Sequence, residues 1–220
     1  MSVSLHDLIF SYSKQSPLLS IASWQIAQGE KVFLQGESGS GKSTLLNLIA
    51  GLLPVTSGQI TVLDQRLDQL SQRRRDRFRA DNIGYIFQQF NLIPYLNAVD
   101  NVLLASEFSQ RNKGQTVERA RSLLAQLQLP ESVWQQPGKN LSIGQQQRVA
   151  IARALFNFPK LIIADEPTSA LDQANRDVFM KTLMSLCDEY QSTLLFVSHD
   201  PTLASYFDRT DSLAMINNVG

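Results

Sequence analysis

Gly36-Glu37-Ser38-Gly39-Ser40-Gly41-Lys42-Ser43, with Thr44 after it, is the stretch on which the fold turns. It fits the pattern G-x-x-x-x-G-K-[ST]. Residues 31–35 before it are a short apolar run that reads as a strand. Residues 43–52 after it place Leu45, Leu46, Leu48 and Ile49 at helical spacing. A strand that runs into glycines and then a helix is the geometry that cradles phosphate. The glycines let the backbone curl until successive N–H groups point inward. The helix N-terminus adds its dipole. Lys42 would reach the β- and γ-phosphates as a point charge, and the Ser43 hydroxyl can ligate Mg²⁺. Gly36 to Ser43 and Thr44 are thus the candidate phosphate-binding set, and a nucleoside triphosphate such as ATP is the expected ligand. A glycine-rich turn that merely fits the pattern would need neither the strand nor the helix. The chain has no G-x-G-x-x-G fingerprint, which disfavours a dinucleotide enzyme.

Leu161-Ile162-Ile163-Ala164-Asp165-Glu166 is an apolar run that ends in two acids. A buried strand delivers such carboxylates to the crevice at its C-terminal end. Asp165 would hold Mg²⁺, directly or through water, and Glu166 would orient or deprotonate the attacking water. Adjacent side chains on a strand face opposite ways. Both acids serve one site only if the strand stops at Glu166, and Pro167 favours that.

Around these motifs, residues 3–10, 24–27 and 59–63 read as strands, and 116–129 as a helix carrying Ala120, Leu123, Leu124 and Leu127. A further helix follows Ser142. Strand, helix and strand are then expected over 161–164, 174–190 and 193–197. Short apolar strands alternating with helices imply a parallel sheet covered on both faces. The expected fold is α/β: a P-loop NTPase core with an N-terminal antiparallel β subdomain and an inserted helical subdomain. The expected division is one domain over 1–220, with core 1–87 and 160–220 and helical subdomain 88–159.

Apolar residues make up 43% of the 220, which suits a packed core, and 20 basic against 20 acidic residues give no bulk attraction for nucleic acid or anionic membrane. The run Arg73-Arg74-Arg75-Asp76-Arg77-Phe78-Arg79 is short and interrupted, and reads as a solvated helical face. The single cysteine, Cys187, shares a helical stripe with Phe179, Leu183 and Leu186 and is expected in the core; a reducing compartment is the natural reading. No signal peptide is expected at the N-terminus, and the longest apolar stretch, residues 45–55, is too short to span a bilayer.

Leu141-Ser142-Ile143-Gly144-Gln145-Gln146-Gln147-Arg148, followed by Val149-Ala150-Ile151-Ala152-Arg153-Ala154-Leu155, resembles the LSGGQ signature and helix of the ABC ATPase family. The resemblance covers essentially the whole chain. It implies that Ser142 and Gly144 touch the γ-phosphate of ATP held by a partner's phosphate loop, with Gln145 beside them in the nucleotide-binding set. Ser142 and Gln145 also have capping-box spacing, and a capped helix start is itself an anion site. Ile143 departs from the family pattern, which has glycine there.

By the same resemblance Gln88 senses Mg²⁺ and water, with Gln89 beside it as the one-residue alternative. Asp172, in Ser169-Ala170-Leu171-Asp172, communicates across a dimer. His199 contacts the γ-phosphate. Tyr12 stacks on adenine, or simply packs. The partners implied are a second copy, head to tail, and an integral membrane permease, with no nucleic acid. The implied place is cytoplasmic, on the inner face of the membrane. Residues 87–94 and 97–102 are similar to subunits of lipoprotein-release and macrolide-efflux exporters, and to those of polar amino-acid importers. ABC ATPases that act on DNA or ribosomes are a further class. They usually carry a long coiled coil or two cassettes, and this chain has one cassette and no heptad run.

Overall fold

The computed structural model describes residues 1–13, 16–109 and 116–219. Strands β1 (Val3–Phe10) and β2 (Leu19–Ile26) open the chain, and β3 (Lys31–Gln35) runs into α1 (Lys42–Ile49). β4 (Ser57–Val62), β5 (Gln65–Arg66), α2 (Gln72–Asn82) and β6 (Ile83–Ile86) follow. Three helices come next: α3 (Ala98–Glu107), α4 (Thr116–Gln126) and α5 (Ile143–Leu155). The chain closes with β7 (Leu161–Asp165), α6 (Gln173–Tyr190), β8 (Thr193–Ser198), β9 (Arg209–Ser212) and α7 (Leu213–Ile216).

The strands form two sheets. One is antiparallel, in the order β2-β1-β4-β5, and the other is parallel, in the order β6-β7-β8-β3-β9. The central parallel strands β7, β8 and β3 are largely apolar because both faces are covered. Their alternation divides the interior in two. Phe33, Ile162, Ala164, Leu194 and Phe196 face the cluster built by α3 to α6. Val32, Leu34, Leu161, Ile163, Leu195 and Val197 face the cluster shared by α1 and the antiparallel sheet. Trp24 Nε1 donates to Asp211 Oδ2 at 2.7 Å and ties the two sheets together. Cys187 lies buried on α6 beside Leu183 and Leu186, as its helical stripe implies.

Several elements differ from expectation. β2 starts five residues early, because Ala22 and Ser23 are both exposed and break the alternation. β1 carries an irregularity between His6 and Ile9, with Asp7 at φ 49°. β9 reads Arg-Thr-Asp-Ser and has no apolar signal, since it is an edge strand. α3 is capped by Asn97, whose side chain accepts from the Asp100 amide.

β6 was also not expected. Its Gly84 lets strand and helix touch: a Cβ there would lie 2.4 Å from the Ala154 carbonyl oxygen of α5. Gly84→Ala is expected to lower stability by about 1–3 kcal/mol through overpacking. Urea denaturation measures this, and an unchanged midpoint would mean that α5 moves away freely.

Candidate functional site

The parallel register builds the site. Asp165 pairs with Val197, and Ser198 pairs with Gln35. The residues one step further on, Glu166, His199 and Gly36, therefore leave the sheet along one edge. A crevice of about 510 Å³ opens there, lined by Ser38, Gly39, Gly41, Lys42, Ser43, Thr44, Gln88, Asp165, Glu166 and His199. These ten are sequence candidates; Leu18, which also lines the crevice, was not one. Gln88 lines the crevice and Gln89 does not.

Gly39 and Gly41 sit at φ 80° and 102°, a region open to glycine. Gly41 is the N-cap of α1, and among the described residues no side chain caps that helix. Its first N–H groups are left for an anion. Lys42 Nζ donates to the carbonyls of Gly36 and Glu37 at 2.6 and 2.7 Å, which pins the ammonium inside the loop. The Ser40 amide donates to the Glu37 carbonyl at 3.3 Å and closes the turn.

β7 ends at Asp165, as the two-acid argument requires. Glu166 takes φ 48°, so its side chain does not continue the strand alternation, and both acids line the crevice. Its Oε2 meets His199 Nδ1 at 2.9 Å and the Ser198 hydroxyl at 3.2 Å. Ser198 was missed from sequence; only the strand register brings it to Glu166. Gln88 follows β6 and precedes a turn in which Phe90 and Asn91 both have positive φ. Arg153 of α5 donates to the Phe90 and Asn91 carbonyls and holds that turn.

The signature residues stand elsewhere. Ser142 and Gln145 form the capping box in full: the Gln145 amide donates to Ser142 Oγ, and the Ser142 amide to Gln145 Oε1. Ile143 is 53% exposed. A Cβ on Gly144 would meet nothing within 4 Å among the described residues, so nothing there requires glycine. Asp172 caps α6, accepting from the Asn175 amide. None of these five lines the phosphate crevice. Gln147 joins the two regions, since its Nε2 donates to the Pro167 carbonyl at 3.4 Å. Tyr12 is 69% exposed, packs edge-on against Phe10, and bonds through its hydroxyl to Thr44 Oγ1 at 3.1 Å. It lies beside the phosphate helix without lining the crevice.

Strand, glycine loop, capless helix and paired acids define a P-loop nucleotide hydrolase. The family model described as ABC transporter matches residues 19–169. The chain belongs to that family and is an ATP-binding subunit with ATPase activity. The lipoprotein-releasing system ATP-binding protein LolD of Treponema denticola is 38% identical over 209 residues, 94% of this chain and 92% of its own. The ABC transporter ATP-binding protein YbbA of Escherichia coli is 40% identical over 210 residues, with 94% and 92% covered. The dimeric, post-hydrolysis structure of the cassette MJ0796 with ADP and Pi matches with TM-score 0.87 and 38% identity over 96% of this chain and 93% of that one. The protein MJ0796 is from Methanocaldococcus jannaschii.

Burial pushes the Asp165 carboxyl above the usual carboxylate range and Glu166 adds to this, while the hydrogen bond from Ser43 and the charge of Lys42 oppose it. A raised folded pKa means that ionised Asp165 weakens the fold. Its stabilising contribution is present below the unfolded pKa and is lost as pH rises through the folded one. Asp165→Asn is therefore expected to raise the urea midpoint at pH 7 and to lose that advantage below about pH 4. A gain that is the same at both pH values would contradict the assignment.

Proposed function

We propose that this chain is one ABC ATPase domain, with core 1–87 and 160–220 and helical subdomain 88–159, which drives a membrane transporter by closing head to tail on a second copy around ATP. One observation carries this reading. The phosphate crevice holds Lys42, Glu166 and His199, while Ser142, Ile143 and Gly144 begin a capped helix that does not line it, with Ile143 exposed. Each half is incomplete alone, and a second copy would bring the missing half. The dimeric state of MJ0796 supports this.

The ATP phosphates would lie against the amides of Gly39 to Thr44 with Lys42 between them. Ser43, Asp165 and the Gln88 side chain supply the hard oxygen donors that suit Mg²⁺, which would neutralise phosphate charge. Glu166 takes the proton of the attacking water, and His199 contacts the γ-phosphate. Tyr12 faces adenine. Ser142, Gly144 and Gln145 of one copy complete the other's site, and Asp172 lies at the junction. Loss of the γ-phosphate removes the bridge that favours closure.

No helix among the described residues is long and apolar enough to cross a membrane. In this reading the pore belongs to a permease partner, and this chain sits on the cytoplasmic face against it. A groove of about 630 Å³ between α2, β6 and α3 suits that contact. It is larger than the nucleotide crevice but carries none of the candidate phosphate or acid residues. Tyr85 and Phe87 stack in it at 4.3 Å, and four arginines (Arg73, Arg77, Arg79 and Arg153) line it against two acids, Asp76 and Glu107. Arg79 Nη1 is buried without a hydrogen-bond partner. The occupant is a permease segment that is apolar on one face and acidic at its edge. The name of the Treponema denticola relative favours an exporter of the lipoprotein-release type.

Glu166→Gln should bind ATP, turn over at least a hundredfold more slowly, and shift from monomer to dimer on Mg-ATP in light scattering. Gly144→Asp in that background should keep its thermal midpoint, because the site is open, yet stay monomeric. A Gly144→Asp protein that still dimerises would remove the signature helix from the nucleotide.

A further inference from the structure

The Glu166 carboxylate is held from behind by a residue that the motifs do not include. Ser198 is the last residue of β8 and is 2% exposed. A serine hydroxyl has one proton to give and two lone pairs to receive with. The Asp200 amide donates to Ser198 Oγ at 3.1 Å, so one lone pair is used. Among the described residues the acceptor within reach of the Ser198 proton is Glu166 Oε2, at 3.2 Å. The amide therefore fixes the hydroxyl and aims its proton at the carboxylate. His199 Nδ1 meets the same oxygen at 2.9 Å. Oε2 thus has two protein partners, and among the described residues no partner is recorded for Oε1.

We infer that Ser198 is a positioning residue that anchors Glu166 by Oε2 and leaves Oε1 to receive the proton of the attacking water. This rests on the reading of Glu166 as the base. His199 cannot hold the carboxylate alone with equal constancy, because its side chain is largely exposed while that of Ser198 is buried. Glu166 also begins its turn in a left-handed conformation, which fixes its Cα but not its terminal torsion. The hydroxyl supplies that last constraint. A hydrogen bond to a charged group contributes enough to matter at this scale.

The test is steady-state ATP hydrolysis by the full chain, with thermal midpoints as a control on folding. Ser198→Ala is expected to lower kcat about tenfold with KM for ATP within about twofold. Ser198→Thr, which keeps the hydroxyl, should recover most of kcat. In the Glu166→Gln background Ser198→Ala should add nothing, because the group it positions is gone. An additive loss there would overturn the proposal, as would an unchanged kcat in Ser198→Ala alone. Full turnover in Glu166→Gln by itself would instead remove the base, and the positioning role with it.

Discussion

The site depends on where three parallel strands stop. β7, β8 and β3 are hydrogen-bonded in a register that places Asp165 beside Val197 and Ser198 beside Gln35. The strands are buried on both faces, and a one-residue slip would carry every apolar side chain to the wrong cluster. Hydrophobic packing therefore fixes the register, and the register fixes which polar residues emerge together. The acids, the hydroxyl and the phosphate loop owe their closeness to the packing of apolar strand residues that carry none of the chemistry.

Backbone conformation finishes what register begins. A regular strand would turn Asp165 and Glu166 to opposite faces. Glu166 escapes by adopting positive φ, a conformation that costs a non-glycine residue about 1 kcal/mol or more. The turn is held by the Glu166 amide on the Val197 carbonyl and by the Ser169 amide on the Glu166 carbonyl. α5 then reaches both halves of the crevice. Gln147, in its first turns, touches the loop after Glu166, and Arg153, in its last, holds the turn after Gln88. α5 thus touches both sides of the crevice of its own chain, although Ser142 and Gly144 at its start do not line it.

What was legible in the sequence was what chemistry forces into short, local patterns. The glycine loop needs glycines at set spacing, the capping box needs Ser142 and Gln145 three apart, and the two acids need a strand end. Each is visible within a few residues. β9 was not legible, because an edge strand facing water carries no apolar code. β6 was not, because it has four residues and its Gly84 answers to α5, not to strand preference. The arginines of α2 read as a solvated face. Arg73, Arg74 and Arg77 are exposed, yet three of the run also line a groove that only the tertiary fold creates. Ser198 lies 32 residues from Glu166, and nothing local announces their pairing.

The buried cysteine has a practical side. Burial pushes the Cys187 thiol up to about 12, and its side chain is closed in by α6 and the sheet. Thiolate is the reactive form, so maleimides and spin labels will pass this residue by while the fold is intact. A single cysteine introduced at an open position such as Ile143 or Tyr12 can then carry a fluorophore or nitroxide alone. The native chain is in this sense already prepared as a background for distance measurements.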